Sequence, residues 1–75
     1  MINMFKPVFI KSEGGWYNIE LATASKIIAL QNRVEVLKAS GEYVEAEKVQ
    51  ENIYNIMDKA LFELDAYPIE ESEVA

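Results

Sequence analysis

Cysteine and histidine are both missing from these 75 residues. Without cysteine there is neither a disulfide framework nor a thiolate metal site to reinforce a small fold. Without histidine the commonest general base is gone, and the two absences together remove the usual zinc ligands. Glycine is also scarce, and Gly14-Gly15 lies outside any GxGxxG or GxxxxGK spacing that would cradle a phosphate. Ser12, Ser25, Ser40 and Ser72 have no imidazole to activate them, and a turn, a helix start, a helix end and a tail account for them. Glu47 and Glu51 stand one helical turn apart, but no further oxygen ligands are specified for a cation that prefers six or more. The expectation is a protein that is not an enzyme and has no metal and no cofactor.

No apolar run is long enough to span a bilayer, and residues 1–20 lack the basic start, apolar stretch and small-residue cleavage site of a secretory signal. A cytoplasmic location with no membrane partner follows as the expectation. Basic charge is the minority sign. Residues 1–41 hold five basic groups against three acids, while residues 42–75 hold ten acids against Lys48 and Lys59. A net charge of −6 repels phosphate backbones and argues against direct nucleic-acid binding.

What the chain does have is apolar surface, at 51% of its residues, too much for a disordered segment of this charge. Its length suits one small domain near the lower limit for a self-supporting core. Ile27, Leu30, Val34 and Leu37 step by three, four and three residues, one stripe of a helix. Ala46, Val49, Ile53 and Ile56 repeat the steps after a break at Ser40-Gly41, and in an antiparallel pairing each facing pair of position numbers adds to the same constant. Two helices joined by so short a loop lie side by side.

Upstream, residues 4–11 are β-branched and aromatic, Ser12-Glu13-Gly14-Gly15 supplies a tight turn, and Tyr17, Ile19 and Leu21 alternate with Trp16, Asn18 and Glu20. This is a β-hairpin signal, with Pro7 placing part of the first strand at an edge. The first helix is expected from an N-cap near Thr23 to about Ala39, and the second from about Glu42 to Tyr67, stopping before Pro68. The beginning of the first helix lies opposite Ala60, so Leu61, Phe62, Leu64 and Tyr67 would extend along the hairpin and receive its Tyr17–Ile19–Leu21 face. The fold class is α+β, a single ββαα domain over residues 1–67, with residues 68–75 a flexible acidic tail.

The stretch 27–61, with Gly-Glu-Tyr-Val-Glu-Ala-Glu-Lys-Val-Gln-Glu-Asn-Ile at its centre, resembles the UVR helical hairpin of the excision-repair proteins. Tyr43 and Ala46 fit that family's opening of the second helix, whereas Gln50 and Glu51 stand near the place of its arginine–aspartate pair. The resemblance covers under half the chain, is one of helical-hairpin architecture, and implies a hairpin that binds another protein.

The second helix carries a further stripe, Tyr54, Met57, Leu61 and Leu64, and Phe5, Phe9 and Trp16 on the hairpin have no obvious intramolecular partner. A two-stranded sheet also leaves two open edges, so association with a protein partner or a second copy, as a dimer, is expected. The leading expectation is a protein-binding module, such as a small phage- or mobile-element-encoded inhibitor or adaptor. Its contact residues would be Phe5, Phe9, Trp16, Tyr54, Met57 and Leu61. An alternative is an acidic DNA mimic presenting Glu42, Glu45, Glu47, Glu51 and Asp58, with Glu63, Asp65 and the tail acids. A self-assembling structural subunit is the third.

Overall fold

A computed structural model of the chain describes residues 4–74. The β-branched and aromatic N-terminal segment forms two antiparallel strands, β1 (Phe5–Ile10) and β2 (Gly15–Glu20). Gly14, at φ +65°, takes the left-handed position in the turn between them. Helices α1 (Leu21–Ala39) and α2 (Tyr43–Phe62) follow, then a third strand, β3 (Ala66–Ile69), and a 3-10 turn at Glu71–Glu73. The result is an α+β domain in which a β-hairpin precedes a helical hairpin and the last strand returns to the sheet, in the order β1-β2-β3.

The helices meet along the seam that their spacing predicts. Ile27, Val34, Leu37, Ala46 and Ile53 are buried, and Leu30, Val49 and Ile56 pack half-buried against them. Val8, Ile10, Ile19 and Ala66 join the same core from the sheet. Fully burying a branched side chain of this size stabilises by about 1.5–3 kcal/mol, so this one cluster carries most of the driving force.

Four expectations need correction. The N-cap of α1 is Glu20, not Thr23: its carboxylate accepts the backbone N–H groups of Ala22 and Thr23, each at 3.1 Å. Glu20 is the last residue of β2, so strand passes to helix with no loop, and Thr23 falls inside the first turn. The hairpin also lies along α1 and not on the end of α2, because α1 leaves β2 directly and doubles back beneath it; α2 meets the sheet at β3. Three contacts hold the hairpin's turn to α1. The Lys11 N–H donates to Gln31 Oε1 at 3.1 Å, Gln31 Nε2 donates to the Phe9 carbonyl at 3.0 Å, and Lys11 Nζ pairs with Glu35 at 3.0 Å.

The third correction is larger. Helix α2 ends at Phe62, five residues before Tyr67, through a Schellman motif: Asp65 N–H reaches the Ala60 carbonyl at 2.8 Å and Leu64 N–H reaches that of Leu61 at 3.3 Å. Leu64 holds the left-handed position at φ +61°. A leucine there costs about 1–2 kcal/mol. The turn is kept because it lets residues 66–69 satisfy the otherwise open edge of β2 and buries Ala66. Fourth, residues 68–75 are not all tail. Pro68 and Ile69 belong to β3, and residues 71–73 form the 3-10 turn, where Glu70 N–H donates to Glu73 Oε1 at 3.0 Å.

Candidate interaction surface

Side chains alternate across a strand, and the ladder registers sort this sheet into two faces. Val8, Ile10, Tyr17, Ile19 and Ala66 face the helices. The opposite parity puts Phe5, Pro7 and Phe9 of β1, Trp16, Asn18 and Glu20 of β2, and Tyr67 and Ile69 of β3 on the other face. Both helices contribute to the core beneath the first set, so no helix covers the second.

This outer face is organised by its aromatic residues. Phe9 and Trp16 are directly opposite, and their rings meet edge to face with centroids 5.4 Å apart. Tyr67 reaches across β2 to Phe5, with centroids 5.8 Å apart, and the Asn18 Nδ2 donates to the Tyr67 hydroxyl at 2.8 Å. Phe5, Pro7, Trp16 and Ile69 are half-buried, while Phe9 remains 40% and Tyr67 47% exposed. Six apolar or aromatic residues thus form one continuous patch on a chain of net charge −6.

Each edge beside this face is interrupted by a proline. Leu21 N–H donates to the Met4 carbonyl and Glu20 N–H to that of Asp65. Counting along the ladders from these bonds, Pro7–Asn18 and Tyr17–Pro68 are non-hydrogen-bonded pairs. Each proline therefore stands where its N–H would point outward from the sheet, at a position where its absence costs no ladder bond. The outward Phe9 carbonyl is already taken by Gln31. The sheet is a poor template for strand addition despite its short edges.

Electrostatics at the face are simple. Glu20, at its β2 end, is held below the usual carboxylate range by the Ala22 and Thr23 backbone hydrogen bonds, then by the Thr23 hydroxyl and the charge of Lys26; partial desolvation opposes the shift. On the helix side, the Lys11 hydrogen bond and charge likewise lower Glu35.

Of the expected contact residues, Phe5, Phe9 and Trp16 come together on this face. The other three do not. Met57 is 3% exposed and belongs to the core, because a helix packed on α1 and reached by β3 buries that position. Leu61 is half-buried against the same core, and Tyr54 lies 43% exposed beside a groove with Gln31, Glu35 and Gln50. Pro7, Tyr67 and Ile69 complete the patch and were missed. The signal for them was the β-type run Ala66-Tyr67-Pro68-Ile69, which helix-stop logic at Pro68 masked. Glu42, Glu45, Glu47, Glu51 and Asp58 are all exposed, with Glu45 paired to Lys48 at 3.4 Å. Among the described residues no cluster of three or more acidic groups could hold a metal ion, and no helix is long and apolar enough to cross a membrane. Comparison with protein-family models, curated proteins and solved structures returns no match.

Proposed function

We propose that this chain is a non-enzymatic protein-binding module, an inhibitor or adaptor in scale, that uses the outer face of its sheet as the contact surface. One observation carries this reading. A three-stranded sheet buries one face under two helices and leaves the other, built from Phe5, Pro7, Phe9, Trp16, Tyr67 and Ile69, without a layer over it. Aromatic residues give large contact area at low cost in side-chain entropy and are enriched at the centres of protein interfaces. The test is affinity capture of the tagged chain from its host's lysate, beside a Phe9→Ser/Tyr67→Ser variant of equal helicity. A stoichiometric protein retained by the parent and lost by the variant supports the reading; equal retention by both defeats it.

A second reading, a nucleic-acid mimic on α2, draws on Glu47, Glu51 and Asp58, which are exposed and make no ion pair among the described residues. Its partner would be released steeply by salt and lost on Glu47→Gln/Glu51→Gln, whereas apolar docking on the sheet tolerates both changes.

A further inference from the structure

The open face is aromatic over most of its length and acidic at one end. The exposed Glu70, Glu71 and Glu73 follow directly after Ile69 at that end. At the other end the Glu20 carboxylate is turned to α1, where its two oxygens accept from the Ala22 and Thr23 N–H groups. By register, no lysine or arginine belongs to the face. This charge pattern selects among the possible occupants. A second copy would bring no lysine or arginine of its own patch to Glu70, Glu71 and Glu73, so self-pairing leaves these acids without a counter-charge from the facing patch. A partner strand is opposed at both edges, where Pro7 and Pro68 withhold a donor and Gln31 holds the Phe9 carbonyl. The remaining geometry is an occupant lying across the face.

Its dimensions follow from the sheet. Six-residue strands rise about 20 Å in length, and three strands at about 4.8 Å spacing are some 10–15 Å wide. A helix of about 12–14 residues has that length and diameter. We propose that the face docks a short, basic amphipathic helix of a partner protein, which completes a helix–sheet–helix sandwich. Its apolar stripe would lie on the Phe9–Trp16 and Phe5–Tyr67 pairs, and its lysine or arginine side chains would meet Glu70, Glu71 and Glu73. Arginine would gain further by stacking on Trp16 or Tyr67. The inference rests on the outer face being the contact surface and adds the chemistry of what it contacts.

Trp16 is the one tryptophan and sits in the proposed site, so its emission reports occupancy directly. The probe is a synthetic peptide of about 14 residues with leucine and lysine in a helical amphipathic pattern. Its controls are the same pattern in leucine and glutamate, the same pattern in leucine and glutamine, and a scrambled leucine–lysine peptide. The expected result is a saturable blue shift with the first peptide alone, with Kd rising about tenfold from low to high salt. Phe9→Ser/Tyr67→Ser would weaken that binding about tenfold or more, while Glu47→Gln/Glu51→Gln on α2 would leave it unchanged.

No response to the leucine–lysine peptide overturns the proposal. So does equal binding of the scrambled peptide, or loss of binding with the α2 substitutions alone. Equal binding of the leucine–glutamate or leucine–glutamine peptide, still sensitive to Phe9→Ser/Tyr67→Ser, removes the basic partner and leaves the contact surface standing. Sedimentation showing the chain alone to be a dimer, with Trp16 emission that shifts on dilution, would instead assign the face to a second copy.

Discussion

Along β1, Val8 and Ile10 turn to one side of the sheet and Phe5, Pro7 and Phe9 to the other. The first pair is 5% and 1% exposed beneath the helices, whereas Phe9, one residue away, is 40% exposed with nothing layered on it. The open side is the more apolar in sequence, since Lys6 shares the parity of Val8 and Ile10. Hydrophobicity therefore does not decide which side becomes core. The connection does: α1 leaves β2 with no intervening loop, and the Lys11–Gln31–Phe9 contacts hold it against the Val8–Ile10 side. An apolar strand face becomes core only where the chain has a helix placed to cover it. A face left over in this way is a surface with binding capacity.

The contrast can be broken most severely on the buried side. Ile19→Ala removes a fully buried side chain and should cost about 2–5 kcal/mol, a large share of the stability of a domain this small. Urea unfolding followed by helical circular dichroism would show most of the cooperative transition lost. Trp16→Ser, three residues away on the open side, should cost only about 1 kcal/mol in the same experiment while abolishing capture of the partner. Comparable destabilisation by the two substitutions would mean that the outer face is structural, and the comparison would collapse.

A third change sharpens the contrast through the turn that brings Tyr67 and Ile69 onto the face. Leu64→Gly relieves the left-handed strain at φ +61° and should raise stability by about 1 kcal/mol without weakening binding. Gly41, at φ +74°, fills the same position at the end of α1, where Glu42 N–H reaches the Leu37 carbonyl at 2.9 Å. Gly41→Ala should therefore lower stability by about 1 kcal/mol, the opposite sign at a matching turn. Thermal melts of the two variants test the pair.

The smallest effect expected is on pH dependence. Glu20 has a lowered pKa in the folded chain, so its cap stabilises above the ordinary carboxylate pKa and the benefit fades as pH falls through the lowered value. The difference in Tm between the parent and Glu20→Gln should be present at neutral pH and shrink below pH 4.5, the ordinary glutamate value. A difference constant down to strongly acid pH would show that the carboxylate charge is not what caps α1.

The helical hairpin was legible because its information is local: the stripe from Ile27 to Leu37 and its repeat from Ala46 to Ile56 need only the 3.6-residue period and a short loop at Gly41. The β-hairpin was legible for the same reason, as was the place of Phe5, Phe9 and Trp16 outside the buried core. The third strand was not. Residues 63–69 continue the pattern of a helix, and Pro68 supplies a ready explanation for its end; what overrides both is the open edge of β2, which lies some fifty residues away in sequence. The cap at Glu20 was hidden because a glutamate reaches the first turn only when a strand delivers it there. Met57 was misassigned because a helical stripe marks an apolar side without saying which neighbour takes it. The sequence alone determined which segments would be helix and strand up to Phe62, and that apolar residues would exceed what two helices can bury. The tertiary structure decided which of them are left over, because only the return of β3 to the sheet joins Tyr67 and Ile69 to Phe5, Phe9 and Trp16 on one uncovered face.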